Sequence, residues 1–293
     1  MDRSLRCTVL SLLSLLALAP AARADVFKTT TSFDTFDGVC DEDCSLRDAV
    51  VASNANPGPD TILLHSGPKE SALFVLTLTG PDEDSALTGD LDIAFGEELK
   101  ILGSGPSPSV VDGFGSFSHD RVFDARGTLE LHDVIVRNGE PDSGGGAIRN
   151  SGRLTLIHCE VSGSRTHNFG FGGGILSDGF DSELTLLHTV VAFNRAEGGG
   201  GGLAVGGRLT VISSVLVGNR SLEDFGGGAY LFSEAQVDFN DVTFRSNRAA
   251  VAGGGLYLEP PLFPGSRNFR NVTFESNFAP AGPDCAGVGC PAN

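Results

Sequence analysis

The sequence predicts an all-β protein, a right-handed parallel β-helix with a short N-terminal capping helix. Three observations predict this fold: a glycine-marked repeat, strands with one apolar face in each repeat, and few large core residues. Glycine accounts for 40 of the 293 residues, tryptophan is absent, and there is one methionine. Such a chain has to bury many small β-forming side chains in a regular lattice instead of one globular core.

The repeat is marked by a Gly-Gly-Gly-apolar element that recurs at offsets of 28, 28, 26 and 27 residues. Its copies begin at Gly144, Gly172, Gly200, Gly226 and Gly253. Glycine reaches positive φ without steric cost and leaves room for stacked copies, so we assign these elements to sharp turns between strands. At about 27 residues per turn, the segment from Thr61 to Ala279 predicts about eight turns.

A second signature lies between the glycine elements and alternates apolar with polar residues. Its copies are LTLIHCEV from Leu154, LTLLHTVV from Leu184, LTVISSVL from Leu209, VDFNDVTF from Val237 and FRNVTF from Phe269. Period-two alternation is typical of short strands with one buried face. Three such strands per repeat cannot bury their inner faces alone, whereas coils stacked about 4.8 Å apart can. Residues 61–293 are therefore assigned to the β-helix.

Several copies of the repeat end in an asparagine, which we place at the corner of the coil opposite the glycines. These asparagines are Asn138, Asn194, Asn219, Asn247 and Asn277, with a gap near Ser164-Arg165. Asparagine tolerates a left-handed backbone, and its amide can bond to the copies above and below. We predict a ladder of left-handed asparagines that is hydrogen-bonded along the stack.

Residues 1–24 are interpreted as a signal peptide. Arg3 and Arg6 form a positive start, an apolar stretch follows from Cys7 to Ala19, and Ala22-Arg23-Ala24 is a small-x-small cleavage site. The apolar stretch is shorter than the roughly 20 residues that span a bilayer, and no second one follows. We therefore expect a secreted or cell-surface protein with no membrane-spanning segment in the mature chain.

The charge of the mature chain restricts its partners. Without residues 1–24 the chain has 17 basic and 36 acidic residues, a net charge of −19. Such a charge repels nucleic acid and anionic membranes, so neither is expected as a partner.

Export permits disulfide bonds, and two local cysteine pairs lie near the ends of the mature chain. We predict the disulfides Cys40–Cys44 and Cys285–Cys290, with Cys159 left as a small buried residue in a strand. A metal site of four cysteines is the less favoured alternative, because the sequence has no Cys-x-x-Cys pair.

Residues 25–60 form a predicted N-terminal cap. Ser45 and Asp48 have the spacing of a capping box. The apolar residues that share one face of this helix are Leu46, Ala49 and Val50. Turn-forming residues at 54–59 end the helix, and a strand begins at Thr61. A helix here would shield the open strand edge of the first turn.

The cap segment Cys44-Ser45-Leu46-Arg47-Asp48-Ala49 resembles the N-terminal motif of bacterial exported proteins named for the string CSLREA, with aspartate in place of glutamate. Further agreement lies at Asp37-Gly38, Cys40, Asn54, Gly58 and Asp60-Thr61-Ile62. The glycine elements and Gly282-Pro283-Asp284-Cys285 are similar to the repeats of chlamydial polymorphic outer-membrane proteins. The resemblance covers most of residues 30–285 and implies a pectin-lyase-like β-helix on an exported or cell-surface protein. It implies little about chemistry, because no catalytic site defines this family.

The strings expected of pectinolytic β-helix enzymes are missing. Resemblance to the hydrolases would require the strings Asn-x-Asp, Asp-Asp, Gly-His-Gly and Arg-x-Lys. Resemblance to the lyases would require the string Arg-x-Pro-x-x-Arg. None of these strings occurs in the sequence. We predict a non-catalytic protein that binds a polysaccharide or a cell-surface protein, and we assign no catalytic, cofactor-binding or metal-binding residue. The alternatives are a polysaccharide lyase or hydrolase with an atypical site and a purely structural spacer or surface-layer component.

Two groups of side chains are candidates for chemistry. His132, His158 and His188 are expected along one line, either as a metal or proton-transfer site or, as we favour, as a polar corner. The densest charged group consists of Asp112, Asp120, Arg121, Asp124 and Arg126. An atypical catalytic site would lie there, although most such groups are solvated loop charges.

Two further groups are candidates for binding. The acidic run of Asp34, Asp37, Asp41, Glu42 and Asp43 has oxygen ligands for calcium, but it lacks EF-hand spacing, and a charged cap is favoured. Asn-Arg dipeptides at 194–195, 219–220 and 247–248 predict an arginine stripe. That stripe would either bind acidic glycans or pair with Glu197, Glu223 and Asp224.

Overall fold

The computed structural model describes residues 23–65, 72–80, 83–105, 107–262 and 267–291. Nearly all of its secondary structure is parallel β, in a solenoid of about seven turns. The predicted β-helix is confirmed, with one turn fewer than the repeat length indicated. The predicted signal peptide lies almost entirely outside the described residues.

Each turn contributes strands to three faces, and strands of successive turns pair in parallel. The first face contains Val26–Lys28, Pro59–Leu63, Glu98–Leu102, Thr128–His132, Arg153–Ile157 and Glu183–Leu187. The second face contains Leu73–Val75, Ser109–Asp112, Val134–Arg137, Glu160–Ser162 and Val190–Ala192. Longer strands run through both faces in the later turns: Arg208–Val217, Gln236–Arg245 and Arg267–Glu275.

The third face is a separate sheet of eight strands. They are Leu91–Ile93, Phe123–Ala125, Ile148–Asn150, Ile175–Ser177, Leu203–Val205, Ala229–Leu231, Leu256–Leu258 and Cys285–Gly287. The two-residue strands Arg195–Ala196 and Arg220–Ser221 pair with each other between the second and third faces. A short 3-10 helix covers Gly115–Phe117.

The core lies inside the coil, where side chains of equal register form columns. One first-face column is almost fully buried and contains Leu99, Leu129, Leu154, Leu184, Leu209 and Val237. Burial of each such side chain contributes roughly 1.5–3 kcal/mol. The period-two alternation therefore identified the buried face correctly.

The chain turns between the first and second faces through a single left-handed residue. This position is occupied by Asp133, His158, His188, Ser213, Asp241 and Asn271, all with φ between 48° and 57°. A single residue with positive φ changes the chain direction in a minimal length, and short polar side chains tolerate it best. The polar corner predicted from the histidines therefore has a backbone cause.

The glycine elements differ from the prediction in one respect. Positive φ occurs at one glycine of each element, for example at Gly226 with φ +67°. The next residue, Gly227, does not have positive φ, but a Cβ built on it would overlap the carbonyl oxygen of Gly254 and the backbone of Arg248. Close approach between turns, and not backbone conformation, requires glycine at position 227.

The asparagine ladder is present inside the coil. The ladder consists of Asn194, Asn219, Asn247 and Asn277. From Asn219 onward, each side-chain Oδ1 accepts two hydrogen bonds of 2.9–3.1 Å, one from the backbone N–H and one from the side-chain N–H of the preceding asparagine. The predicted left-handed conformation is wrong for these four residues. Positive φ belongs to the residue before each of them, which is Phe193, Gly218, Ser246 or Ser276.

The start of the ladder also differs from the prediction. Asn138 has φ +58° and occupies the left-handed position itself, so it is not a ladder member. Ser164 fills the expected gap: its backbone N–H donates to Asn194 Oδ1 at 3.0 Å, and its Oγ accepts from Gly139 N–H at 3.1 Å. A hydroxyl group thus continues the amide ladder for one turn.

The cap contains the single α-helix of the described residues, Leu46–Asn54, with the predicted capping box between Ser45 and Asp48. The following strand begins at Pro59, two residues earlier than expected. Arg47 is fully buried, and its guanidinium donates to Asp34 and to the carbonyl oxygens of three residues: Ala86, Gly89 and Asp90. The helix is thereby attached to the N-terminal segment and to the first turn.

The structure brings both predicted cysteine pairs into disulfide geometry. The Cα–Cα distances are 4.3 Å for Cys40–Cys44 and 5.9 Å for Cys285–Cys290. Cys159 is buried, and burial raises the pKa of its thiol to about 11, but the residue lies just before the strand Glu160–Ser162 and not within it. Within the described ranges, no helix has the length and hydropathy needed to cross a membrane.

Candidate functional site

The middle residue of each third-face strand forms a column whose chemistry changes along the coil. From the first turn to the last, this column contains Asp92, Asp124, Arg149, Leu176, Ala204, Tyr230, Tyr257 and Ala286. Its N-terminal end is charged and its C-terminal half is aromatic. These two ends are the candidate sites of the third face.

The charged end is a network of five carboxylates and two guanidiniums. Its members are Asp84, Asp90, Asp92, Asp120, Asp124, Arg121 and Arg126, and all of the carboxylates except Asp84 are buried. Arg121 Nη1 lies 3.0 Å from Asp90 Oδ2, and Arg126 Nη2 lies 2.6 Å from Asp92 Oδ1. The network therefore consists mainly of ion pairs in which buried carboxylates meet partly exposed guanidiniums.

The predicted charged group is only partly assembled. Asp120, Arg121, Asp124 and Arg126 come together, whereas Asp112 lies on the second face and pairs with Arg137 at 2.7 Å. Sequence reasoning missed Asp90 and Asp92, which belong to the preceding turn. Alignment of the turn that contains Asp92 with the turn that contains Asp124 would have identified Asp90 and Asp92, because Asp92 and Asp124 are in register.

Burial dominates the electrostatics of this network. Burial raises the pKa of Asp92 to about 6, although hydrogen bonding and Arg126 oppose that shift. Burial, with repulsion from Asp120, also raises the pKa of Asp90 well above its usual range. Carboxylates this inaccessible are poorly placed to meet a polysaccharide, so the network favours a structural role under the cap.

One subset of the network has metal-binding spacing. Asp84, Asp92 and Asp124 each contribute one oxygen to a group whose members lie within 4.8 Å of one another. Arg126 already contacts Asp84 at 3.2 Å and Asp92 at 2.6 Å. The guanidinium supplies there the positive charge that a cation would bring, and we assign no metal to this group.

The aromatic end is a cluster of five rings, Phe171, Phe225, Tyr230, Phe232 and Tyr257, here called the aromatic strip. Tyr230 stacks on Tyr257 with ring centroids 5.2 Å apart, and Phe225 stacks on Tyr257 at 4.4 Å. Phe171 meets the edge of Tyr230 at 5.4 Å. Tyr230 is buried, and the other four rings are half-buried. The strip therefore offers apolar ring surface to solvent across several turns.

Small residues allow the rings to meet across turns. Ala204 separates Leu176 from Tyr230 in the column. A Cβ built on Gly199 would lie 2.6 Å from Tyr230 Cδ2 and 2.9 Å from Phe171 Cε1. Glycine at this position therefore allows the edge-to-face contact between those rings.

Carboxylates border the strip. Tyr230 donates its phenolic hydrogen to Glu259, and Glu259 also accepts a hydrogen bond of 3.0 Å from Ser233 N–H. Burial and the Glu259 carboxylate raise the pKa of Tyr230, so its hydroxyl remains a donor. Asp224 lies near the same rim, and burial raises its pKa as well. Ring surface and oxygen acceptors thus occur side by side.

The predicted arginine stripe is present between the second and third faces. Arg165, Arg195, Arg220 and Arg248 are neighbours in parallel register, and Phe278 continues the series. The guanidinium of Arg248 lies over the Phe278 ring, 4.7 Å from its centroid, in a cation–π contact. The last three arginines are exposed.

Acid pairing is confined to one end of this stripe. Arg165 lies 4.0 Å from Glu140 and 3.9 Å from Glu197. In the part of the chain that the structure describes, no carboxylate oxygen lies within 4.0 Å of the guanidiniums of Arg195, Arg220 and Arg248. Glu197 contacts Arg165, which precedes the predicted stripe, so among the described residues the alternative in which Glu197, Glu223 and Asp224 pair with the three predicted arginines is wrong.

The histidines form a pair and not a line of three. His158 and His188 stack at 5.2 Å in the left-handed column described above. His132 lies one residue earlier, in register with Ile157, and contacts Glu130. Because serine, aspartate and asparagine occupy the later positions of the same column, its common requirement is a polar side chain with left-handed backbone.

The acidic run of the cap is divided among structural contacts. Asp34 pairs with Arg47 and accepts hydrogen bonds from the backbone of residues 77 and 78. Asp37 donates its backbone N–H to Asp48 at 3.0 Å, and Asp41 accepts from Asp43 N–H at 3.4 Å. This arrangement favours the charged cap over a calcium loop.

Comparisons with family models, with curated proteins and with solved structures found no match to this chain. The predicted kinship with CSLREA-motif and polymorphic outer-membrane proteins therefore stays a prediction. The aromatic strip and the arginine stripe are therefore the features of this chain that bear on its function.

Proposed function

We propose that this chain is an exported or cell-surface β-helix protein that binds a polysaccharide without cleaving it. The aromatic strip is the observation that carries the proposal. Sugar rings combine apolar C–H faces with hydroxyl edges, and half-buried aromatic rings bordered by carboxylates match both kinds of surface. Export is supported by the interpretation of residues 1–24 and by the two cysteine pairs.

The shape of the strip favours a linear polymer. Its rings come from different turns, and Tyr230 and Tyr257 lie on strands that are paired on both sides, so this part of the surface is preorganised along the coil. Preorganisation lowers the entropy cost of binding. An extended, rigid row of rings suits an extended chain of sugars better than a compact small molecule.

Two observations support binding without cleavage. The catalytic strings of pectinolytic β-helix enzymes are missing from the sequence. The densest acid and base group, around Asp90, Asp92 and Arg121, is buried in ion pairs near the opposite end of the coil from the aromatic strip. A lyase or hydrolase would need such groups within reach of the scissile bond.

The test is co-sedimentation with a panel of neutral and acidic polysaccharides, with release of new chain ends followed in the same samples. We expect binding with no cleavage. Tyr257→Ala should weaken binding about tenfold, because it removes a ring that stacks on two others. Tyr257→Phe should bind like the parent protein, and Phe95→Ala, which removes an exposed ring elsewhere, is the matched control.

Each outcome decides the proposal. Cleavage of any polysaccharide would overturn the non-catalytic function and favour the lyase or hydrolase alternative. Unchanged binding by Tyr257→Ala, with thermal unfolding like that of Tyr257→Phe, would remove the aromatic strip as the binding surface. Absence of binding to every member of the panel would overturn the proposal as a whole.

A further inference from the structure

Arg195, Arg220 and Arg248, here called the arginine column, are an unusual feature in a chain with a mature net charge of −19. Their backbones are one strand spacing apart, about 4.8 Å, and like charges that close repel one another. Most other arginines that the structure describes have a carboxylate partner within 4.0 Å: Arg23, Arg47, Arg121, Arg126, Arg137, Arg149, Arg153, Arg165 and Arg208. Among the described residues, the lack of a carboxylate partner at these three guanidiniums does not reflect a shortage of acids.

The arginine column and the aromatic strip belong to the same turns. Arg220 and Tyr230 lie in one turn, and Arg248 and Tyr257 lie in the next. The glycine elements between them pack directly on the column, since a Cβ on Gly227 would overlap the backbone of Arg248. The two features therefore border the same corner, between the second and third faces.

The column is also partly ordered in advance. Its C-terminal guanidinium is held over the Phe278 ring at 4.7 Å. Backbone pairing between Arg195–Ala196 and Arg220–Ser221 places two other side chains in register. A guanidinium has a planar set of donors that binds a carboxylate or sulfate through two hydrogen bonds. Repetition at one strand spacing suits a ligand whose acidic groups also repeat.

We infer that the arginine column binds the acidic groups of an anionic polysaccharide whose sugar rings contact the aromatic strip. This inference rests on the proposed function and names the class of polymer that the same surface selects. The net charge of the whole chain repels polyanions of high charge density such as nucleic acid, whereas an acidic polysaccharide can be held by short-range contacts to rings and guanidiniums. The exposed position of the arginines predicts binding that weakens with salt.

The experiment compares a matched pair of ligands, a polyuronate and its fully methyl-esterified form, and adds a sulfated polysaccharide as a third ligand. The esterified polymer keeps the sugar backbone and loses the charge. We expect the parent protein to prefer the polyuronate or the sulfated polymer over the ester, and the preference to fall as salt is added. Preference for one acidic polymer identifies carboxylate or sulfate as the group bound, and either supports the inference.

The variants separate the column from the strip. Arg220→Gln should weaken binding to the acidic polymer about three- to fivefold. The triple variant R195Q/R220Q/R248Q should bind acidic polymer and ester alike. Arg153→Gln, which removes an exposed arginine paired with Glu183, is the matched control and should bind like the parent protein. Tyr257→Ala should weaken binding to all ligands, the ester included.

Failure of this inference is distinguishable from failure of the proposed function. Equal binding of polyuronate and ester by the parent protein, or unchanged preference in the triple variant, overturns the inference and leaves polysaccharide binding intact. Absence of binding to all three polymers overturns both. Binding of single-stranded nucleic acid that is lost in the triple variant also overturns the inference, because the column would then recognise a different class of polyanion.

Discussion

Arg47 Nε donates a hydrogen bond of 2.8 Å to Asp34 Oδ1, and neither side chain is more than 2% exposed. The same guanidinium donates to the carbonyl oxygens of Ala86, Gly89 and Asp90. One buried cation therefore joins the capping helix, the segment before it and the loop that precedes the third face.

We expect Arg47→Ala to lower the free energy of unfolding by about 3–5 kcal/mol, because it leaves the Asp34 carboxylate buried without its partner. Arg153→Ala, which breaks an exposed pair with Glu183, should cost less than about 1 kcal/mol. Urea unfolding of the two variants under the same conditions measures the difference. Equal losses would contradict the role of Arg47 as the buried junction.

Asn219→Ala should destabilise the coil by about 2–4 kcal/mol, because the backbone and side-chain N–H groups of Asn194 lose their buried acceptor. Asn138→Gly is the control, since it keeps the left-handed backbone and removes a side chain outside the ladder. Its cost should be about 1 kcal/mol, from the loss of the Asn138 hydrogen bond to Asp112, and smaller than that of Asn219→Ala. If the denaturant midpoints fall equally in the two variants, the hydrogen bonds of the asparagine ladder do not contribute specifically to stability.

Gly227→Ala should cost more than about 2 kcal/mol, because the new methyl group overlaps the carbonyl oxygen of Gly254 in the adjacent turn. Gly96→Ala separates this effect from backbone strain: Gly96 has φ +88°, and nothing lies within 4 Å of a Cβ built there. Strain alone should cost about 1 kcal/mol. Thermal unfolding that ranks Gly96→Ala as the more harmful change would contradict the requirement for close approach at position 227.

The raised pKa of Asp92 predicts a pH dependence of stability. The folded state holds the Asp92 proton up to a pKa of about 6, whereas the ordinary value is 3.8, so between these values the folded state binds more protons than the unfolded state. Stability therefore falls as pH rises through this window, by about 2–3 kcal/mol for this group, and the loss is complete above pH 6. Asp92→Asn removes the titration.

Urea unfolding of the parent protein and of Asp92→Asn from pH 4 to pH 7.5 measures the effect. The free energy of unfolding of the parent protein should decline more steeply with pH than that of the variant. Parallel profiles would show that Asp92 titrates normally and that its burial is compensated. Asp124→Asn serves as a second comparison, because it removes the neighbouring carboxylate in register.

Much of the fold was predictable, because each prediction used a property that repeats. The alternation in LTLIHCEV identified the buried leucines, and the spacing of Ser45 and Asp48 identified the helix start. The errors occurred where the residue type did not reveal the position of the residue in the repeat. Asn138 reads like a ladder residue, yet it occupies the preceding left-handed position, and Ser164 takes the ladder position with a different functional group.

The candidate site was less predictable for the same reason. The Asn-Arg dipeptides predicted the arginine stripe, since equal positions in a repeat stack. The aromatic strip escaped prediction because its rings do not recur in every turn: Phe171 and Phe225 both directly precede a glycine element, but Gly199 fills that position in the turn between them. Arg47 also gave no signal, because an arginine in a short surface helix is expected to be solvated.

The sequence by itself determined the parallel β-helix, its three strands per turn, its capping helix and the columns of like residues. A repeat of nearly constant length sets the register between turns, so a linear pattern becomes a spatial one without further information. Only the tertiary structure decided which rings meet across turns, which arginines lack acids and which carboxylates are buried. Those outcomes depend on loops of unequal length and on side-chain directions, and neither is specified by the period of the repeat.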